Sequence, residues 1–288
     1  MISFHSLFAL IRLRISLAVT FSALTAAIVY QGTPSFSTAW PILGIFLLAS
    51  GASALNQYQE WPYDERMKRT MSRPLPSRQL NTIQALRIAA AFIIAGLLIL
   101  LYKSTGTCFA LSLVNILWYN GVYTYLKRKT AFAVVPGAIT GAIPVFMGWT
   151  AAGGEIGDPI ALFMAFFIFI WQMPHFWLLI MKYGHEYKEA GFPVLTSIFT
   201  LLQMKILVAG WILAASLASM MFGYFGILQY PFLVYGILLL NLVLFMLIFT
   251  QLFLRPLIIY RLIFITANIF MLLVMLALIT DRLLLKIS

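Results

Sequence analysis

The chain has 288 residues, of which 62% are hydrophobic and 9% charged, with a formal net charge of +11 and one cysteine. That apolar fraction, with a mean hydropathy of +0.97, excludes an ordinary soluble domain, in which roughly half the residues are apolar. The basic excess lies in short connections between apolar runs, so it is topogenic charge and not a nucleic-acid surface. Cys108 alone supports neither an internal disulfide nor a cysteine metal cluster, and it is expected to be a small buried hydrophobe near a helix start.

The apolar runs are long enough to span a bilayer as helices, for which ~20 residues suffice. In chain order they predict nine spans near 10–30, 37–57, 84–102, 107–126, 131–152, 159–181, 203–223, 228–250 and 258–280, forming one helical domain over 1–288. Gly32-Thr33-Pro34, Lys103 to Gly106, Gly153-Gly154 and Gly157-Asp158-Pro159 mark turns between them, and the link from Gln251 to Pro256 separates the last two. The first run follows Arg12 and Arg14 without a small-residue cleavage site, so it is read as a retained span in a bacterial inner membrane.

With the N-terminus in the cytoplasm, 16 of the 19 basic residues fall on the cytoplasmic side, leaving Lys103, Arg282 and Lys286 outside. This bias agrees with the positive-inside rule. Five of the eight acidic residues share that side in two clusters: Glu60, Asp64 and Glu65 after the second span, and Glu186 and Glu189 just beyond the sixth.

The first cluster reads NQYQEWPYDERMKRTMSRPLP. Asn56, Glu60 and Asp64 are four apart, so on a helix they drift by only ~40° and share a face. Hard oxygen ligands followed by Lys and Arg suit a Mg²⁺-bound polyphosphate. Pro62 removes one helical hydrogen bond and predicts a kink or the start of unwinding before Asp64. Pro74 and Pro76 predict an extended segment that turns Arg73 toward the acids. The competing reading is an ordinary helix end whose acids pair with Arg66, Lys68 and Arg69.

In the second cluster, Glu186 and Glu189 stand beside Lys182 and His185, either as half of a site or as a solvated loop. Lys127, Arg128 and Lys129 close the fourth span, where topogenic charge is the simpler explanation. His175 lies inside an apolar helix next to Pro174, either as a hydrogen-bonded core residue or as a ligand or acid–base group. Gly137 and Gly141 read as small-residue helix packing.

Together these strings resemble the UbiA superfamily of intramembrane prenyltransferases. The resemblance runs from LIRLRISLAVTFSALTA through ALNQYQEWPYDERMKRTMSRPLP and YTYLKRKTAFAVVPGAITGAIPVFMGW to WQMPHFWLL and YKEAGFPVL. MKRT-x-x-RPLP, YT-x-LKR-x-T and PHFW resemble its heme-modifying branch in particular. The resemblance implies an all-α membrane protein with nine helices around a central cavity, in which Mg²⁺ holds the diphosphate of farnesyl diphosphate.

Carried over by position, Asn56, Glu60 and Asp64 match the first metal-binding motif and Glu186 the acid of the second. Arg69, Arg73, Lys127, Arg128 and Lys182 become diphosphate ligands, Asn56, Glu60, Asp64 and Arg73 the catalytic set, and His175 the candidate on the acceptor side. The implied acceptor is heme B, whose vinyl group attacks the allylic cation before water adds. Trp118, Tyr119, Tyr123, Trp171, Phe176 and Trp177 are expected to wall the cation. Glu60 stands where Asp is commoner, and His185-Glu186 where an Asp pair is often found. Alternatives are a family member acting on an aromatic quinone precursor, or a non-catalytic membrane protein on the same fold.

Overall fold

Most helices begin at a residue that can satisfy the free N–H groups of a first turn. Asn81 Oδ1 accepts the Gln84 N–H at 2.8 Å while Gln84 Oε1 accepts the Asn81 N–H at 3.0 Å, and Thr200 with Gln203 repeats the arrangement. Ser35, Thr105 and Asp158 cap in the same way with one bond each. In this computed structural model, which describes residues 3–255 and 257–287, the elements are α1 (Phe4–Leu10), α2 (Leu13–Gln31), α3 (Phe36–Asp64), α4 (Thr82–Lys103), α5 (Gly106–Ile116), α6 (Thr124–Leu126), α7 (Val134–Ala151), α8 (Pro159–Glu189), α9 (Leu201–Tyr224), α10 (Pro231–Phe249) and α11 (Tyr260–Ile287). No strand occurs among the described residues.

Eight helices among the described residues are long and apolar enough to cross a membrane: α2, α3, α4, α7, α8, α9, α11 and α10 with its extension to Leu254. The ninth expected span, near 107–126, is one rod of three pieces. Between α5 and α6 the segment Leu117–Tyr123 has π-helical bonding, yet the backbone stays helical across both junctions. A second π segment, Thr250–Leu254, continues α10 through Gln251, so the expected link starts later; Pro256 lies outside the described residues.

α3 and α8 have 29 and 31 residues, about 44 and 46 Å at 1.5 Å per residue. Both exceed a ~30 Å hydrocarbon layer, and both overhang it with their polar C-terminal ends. This corrects two expectations. α3 does not end before Asp64 despite Pro62, and Glu186 and Glu189 sit in the last turns of α8 instead of beyond it.

Small residues set the closest packing. A Cβ at Gly96 would meet the Gly44 carbonyl oxygen and the Leu48 nitrogen at 2.8 Å, and one at Gly51 would meet the Ile93 nitrogen at 2.7 Å, so α3 and α4 touch backbone to backbone. Gly137 and Gly141 make room for the Tyr123 ring and the Gln172 amide. Cys108 is fully buried near the start of α5. At the end of the bundle away from Glu60, buried Asp281 accepts the N–H groups of Gln229 and Tyr230 at 2.8 and 2.9 Å, tying α11 to the turn between α9 and α10.

Candidate active site

A cavity of about 440 Å³ opens between α2, α3, α7, α8 and the π segment. Arg12, Glu60, Asp64, Arg69, Arg73 and Lys127 line its polar end, whereas Ile45, Leu48, Ile116, Pro144 and Met147 line its apolar depth. Leu48 and Glu60 are 12 residues apart on α3, about 18 Å along its axis. The chamber is therefore long, charged at one end and greasy along its length.

The charged end is built from matched pairs. Asp64, 2% exposed, accepts Arg73 Nη1 on Oδ2 at 2.6 Å, and buried Glu60 forms an ion pair with Lys127. Helix geometry delivers both carboxylates, since α3 persists past Pro62 and keeps them one turn apart. Residues 65–80 are a run of turns, not the extended segment expected from Pro74 and Pro76. The bonds Arg73 N to Thr70 O (2.9 Å), Ser77 N to Arg73 O (3.0 Å) and Leu80 N to Pro74 O (3.0 Å) fold that loop back. Thr70 Oγ1 also donates to the Asp64 carbonyl at 2.8 Å.

Burial by itself would lower the ammonium pKa of Lys127, but the Glu60 carboxylate beside it carries the net shift upward. Arg73 is shifted down, first by burial and then by the nearby charge of Arg12, against the pull of Asp64.

The second acidic cluster meets the loop that follows the first, with Glu186 itself outside the chamber lining. Glu186 Oε2 accepts the backbone N–H of Arg69 at 3.0 Å, and the Arg69 guanidinium donates to Tyr187 Oη at 2.8 Å. It also lies over the Tyr183 and Tyr187 rings at 5.4 and 5.6 Å. Met67, Ala190 and Phe192 form a small buried cluster under this contact, with Tyr63 and Tyr187 against it.

Other expected residues sit elsewhere. Asn56 is fully buried behind the cavity wall, donating to Thr124 Oγ1 at 2.9 Å while its Oδ1 has no partner. Arg128 donates to the Gln59 carbonyl at 2.6 Å and lies over the Tyr63 and Tyr125 rings, outside the chamber. Lys182 is exposed over the Tyr183 ring at 4.8 Å, and His185 pairs with Glu189 at 3.3 Å in the open. Arg128 and Lys182 lie outside the chamber, drawn instead to rings and a carbonyl on their own side.

His175 lines the cavity within a ring cluster of Trp171, Phe176 and Phe264, at 5.2, 5.7 and 4.4 Å, and its Nδ1 is buried without a partner. Of the aromatic residues expected as walls, Tyr119, Tyr123 and Phe176 line the chamber. The tryptophans turn away: Trp118 and Trp171 donate to the Pro136 and Ala267 carbonyls at 2.8 and 2.9 Å, and Trp177 packs on Trp211.

Sequence reasoning missed three cavity features. The π geometry of Leu117–Tyr123, by which the expected Tyr119, Tyr123 and Lys127 reach the chamber, is announced by neither Asn120 nor Gly121. Gln172 and Gly141 form a polar patch of the wall. Arg12, counted only as topogenic charge, points into the same space.

No three His, Cys, Asp or Glu side chains among the described residues form a ready metal cluster. The hard oxygens of Glu60 and Asp64, with the unpartnered Asn56 Oδ1 behind them, fit Mg²⁺ in donor type. Lys127 and Arg73 already counter those two carboxylates, so the donors fit a metal that arrives with its own anion.

These features define a multi-pass membrane protein with an elongated internal chamber carrying buried acid–base pairs at one end. The sequence profile of the UbiA prenyltransferase family matches residues 16–255, and the chain belongs to that family. Its relatives include the protoheme IX farnesyltransferase of Geobacter sulfurreducens, 42% identical over 161 residues, which are 56% of this chain and 59% of that protein. The protoheme IX farnesyltransferase of Sorangium cellulosum is 38% identical over 202 residues, 70% of this chain and 72% of that protein. The matched regions thus span 59% and 72% of these two relatives.

Among solved structures, a digeranylgeranylglyceryl phosphate synthase superposes with a TM-score of 0.74 at 15% identity, covering 98% of this chain and 99% of that one. A UbiA homolog from Archaeoglobus fulgidus bound to DMAPP and Mg²⁺ gives 0.67 at 13% identity, covering 95% and 99%. At these identities the likeness establishes the fold.

Proposed function

We propose that the chain transfers the farnesyl group of farnesyl diphosphate to a vinyl group of heme B, giving heme O. The observation that carries this reading is the pairing of Glu60 with Lys127 and Asp64 with Arg73 at the mouth of an apolar chamber. A diphosphate at that mouth exchanges one anionic partner of Lys127 and Arg73 for another, and the isoprenoid tail runs along Leu48 and Met147. The names of the relatives supply the acceptor, and a farnesyl donor follows with it.

In this reading Glu60 and Asp64 would hold Mg²⁺ at the chamber, with the Asn56 Oδ1 behind them as a further oxygen donor, and Glu186 keeps the Arg69 loop in place beside them. When bound, the metal supplies positive charge to the departing diphosphate. Lys127 and Arg73, with Arg69 at the edge, add fixed cationic donors that need no reorganisation as charge develops. The C1–O bond breaks and its electron pair leaves with diphosphate. The π electrons of the vinyl group then form the new C–C bond to the allylic carbon. Water captures the resulting cation, and one proton is released. Tyr119, Tyr123 and Phe176 present ring faces to the cationic centre. His175 stands on the acceptor side of the chamber. In this reading the mouth and the N-terminus face the cytoplasm from a bacterial inner membrane, an orientation that the positive-inside bias supports.

The test is incubation of the purified full chain with heme B, farnesyl diphosphate and Mg²⁺, followed by mass analysis of the extracted heme. A gain of one farnesyl group plus one hydroxyl group supports the reading. Unmodified heme, with prenylation of an added 4-hydroxybenzoate, would move the assignment to an aromatic acceptor.

A further inference from the structure

Between α1 and α2 the chain breaks at Arg12, whose backbone has φ 47° and ψ 54°. That left-handed conformation is strained for an arginine and free of strain for glycine. The break is firmly held all the same. Gln57 Nε2 donates to the Ala9 and Leu10 carbonyls at 2.8 Å each, and Ser16 Oγ donates to the Ile11 carbonyl at 2.8 Å. Gln57 and Ser16 are themselves buried. The turn therefore has its own supports, and a glycine would occupy it at lower cost.

What the arginine adds is its side chain. It lines the cavity, and among the described residues its Nε is buried without a partner and Nη1 reaches only the Tyr119 hydroxyl, at 3.4 Å. Glu60 and Asp64 exert their field on it, yet among the described residues neither lies within 4.0 Å, because Lys127 and Arg73 hold them. Arg12 is thus a cation with unused donors at a mouth where Lys127 and Arg73 are paired with carboxylates and Arg69 donates to Tyr187. Strain kept at one residue by surrounding contacts is characteristic of functional positions.

We infer that Arg12 is a diphosphate-binding residue, held by its left-handed backbone so that the free guanidinium donors meet the anion. The identity of the anion rests on the proposed function; the need for an anionic oxygen partner rests on Arg12 itself. Arriving substrate phosphate oxygens would give those donors the charge-assisted bonds they lack.

The experiment compares the full chain with Arg12→Gly, Arg12→Lys and Arg12→Ala, measuring thermal unfolding, binding of inorganic pyrophosphate with Mg²⁺, and KM for farnesyl diphosphate and heme B. Arg12→Gly should unfold at the same or a higher temperature while binding pyrophosphate about tenfold or more weakly. Arg12→Lys should recover part of the affinity, and KM should rise for farnesyl diphosphate but not for heme. The inference is overturned if Arg12→Gly binds pyrophosphate within about twofold of the unaltered chain, if the unaltered chain binds none, or if Arg12→Gly loses stability and affinity together. Loss of pyrophosphate binding in Arg12→Gly, with heme never modified by any form, would remove the heme reading and leave Arg12 as the anion ligand.

Discussion

Glu186, in the last turns of α8, accepts the backbone N–H of Arg69 at 3.0 Å, although the two residues are 117 positions apart. That contact fastens the loop carrying Arg69 and Arg73 to the second acidic cluster. A carboxylate spent on a backbone N–H is a loop clamp as well as a candidate metal ligand. Glu186→Gln retains a carbonyl oxygen that can accept the bond, whereas Glu186→Ala does not. We expect Glu186→Ala to lose about 1–2 kcal/mol of stability and Glu186→Gln to unfold close to the unaltered chain. If Glu186 also holds the metal, Glu186→Gln will still need more Mg²⁺ for half-maximal turnover. An unchanged Mg²⁺ requirement restricts it to the clamp.

Lys127 and Glu60 are a buried couple, so breaking it from one side should cost more than removing both charges. Lys127→Met strands a carboxylate that is 6% exposed and is expected to destabilise by up to about 3 kcal/mol. The double variant Lys127→Met with Glu60→Gln should recover a large part of that loss. Chemical denaturation of the four forms gives the coupling energy directly, and additive losses would show that the pair is not coupled.

Arg73 presents a planar fork to Asp64, and a lysine offers only a point charge. Arg73→Lys should retain the fold but turn over about tenfold more slowly, from the loss of one well-directed charge-assisted bond. Steady-state kinetics with farnesyl diphosphate as the varied substrate checks this, and full activity would place the diphosphate away from Arg73.

Among the described residues His175 Nδ1 has no hydrogen-bond partner, and the ring is held by the cluster of Trp171, Phe176 and Phe264. Phenylalanine fills that space without a polar nitrogen. His175→Phe should therefore leave the unfolding temperature and pyrophosphate binding unchanged while raising KM for heme about two- to tenfold, the size of one lost polar contact. Unchanged heme kinetics would make His175 a packing residue.

The membrane spans were legible because each helix in lipid must satisfy its own backbone, so long apolar runs and their Gly, Pro and Asp-Pro boundaries carry the signal. Glu60, Asp64 and Arg73 were legible for the opposite reason: carboxylates are scarce in this chain, and theirs fall at helical spacing beside a basic loop. Helix length beyond the bilayer was less visible, which is why Glu186 was expected past the end of α8. A π segment has no residue signature of its own, so Tyr123 could be expected at the wall but not the π turn that presents it there. Arg12 looked like every other charge at the start of a span, and its left-handed backbone falls at a position with no glycine to signal it. Arg128 and Lys182 show the limit of carrying roles by position, since local rings and a carbonyl compete for them.

The most direct measurement is the yield of heme O from heme B and farnesyl diphosphate by the unaltered chain beside Asp64→Asn and Glu60→Gln, each first shown to be folded by thermal unfolding. Farnesylated heme is expected from the unaltered chain, with a loss on the order of a hundredfold in each variant, as when a fixed charge-stabilising group is removed. Equal yields from the variants, or no farnesylated heme from the folded unaltered chain, would contradict the proposed function.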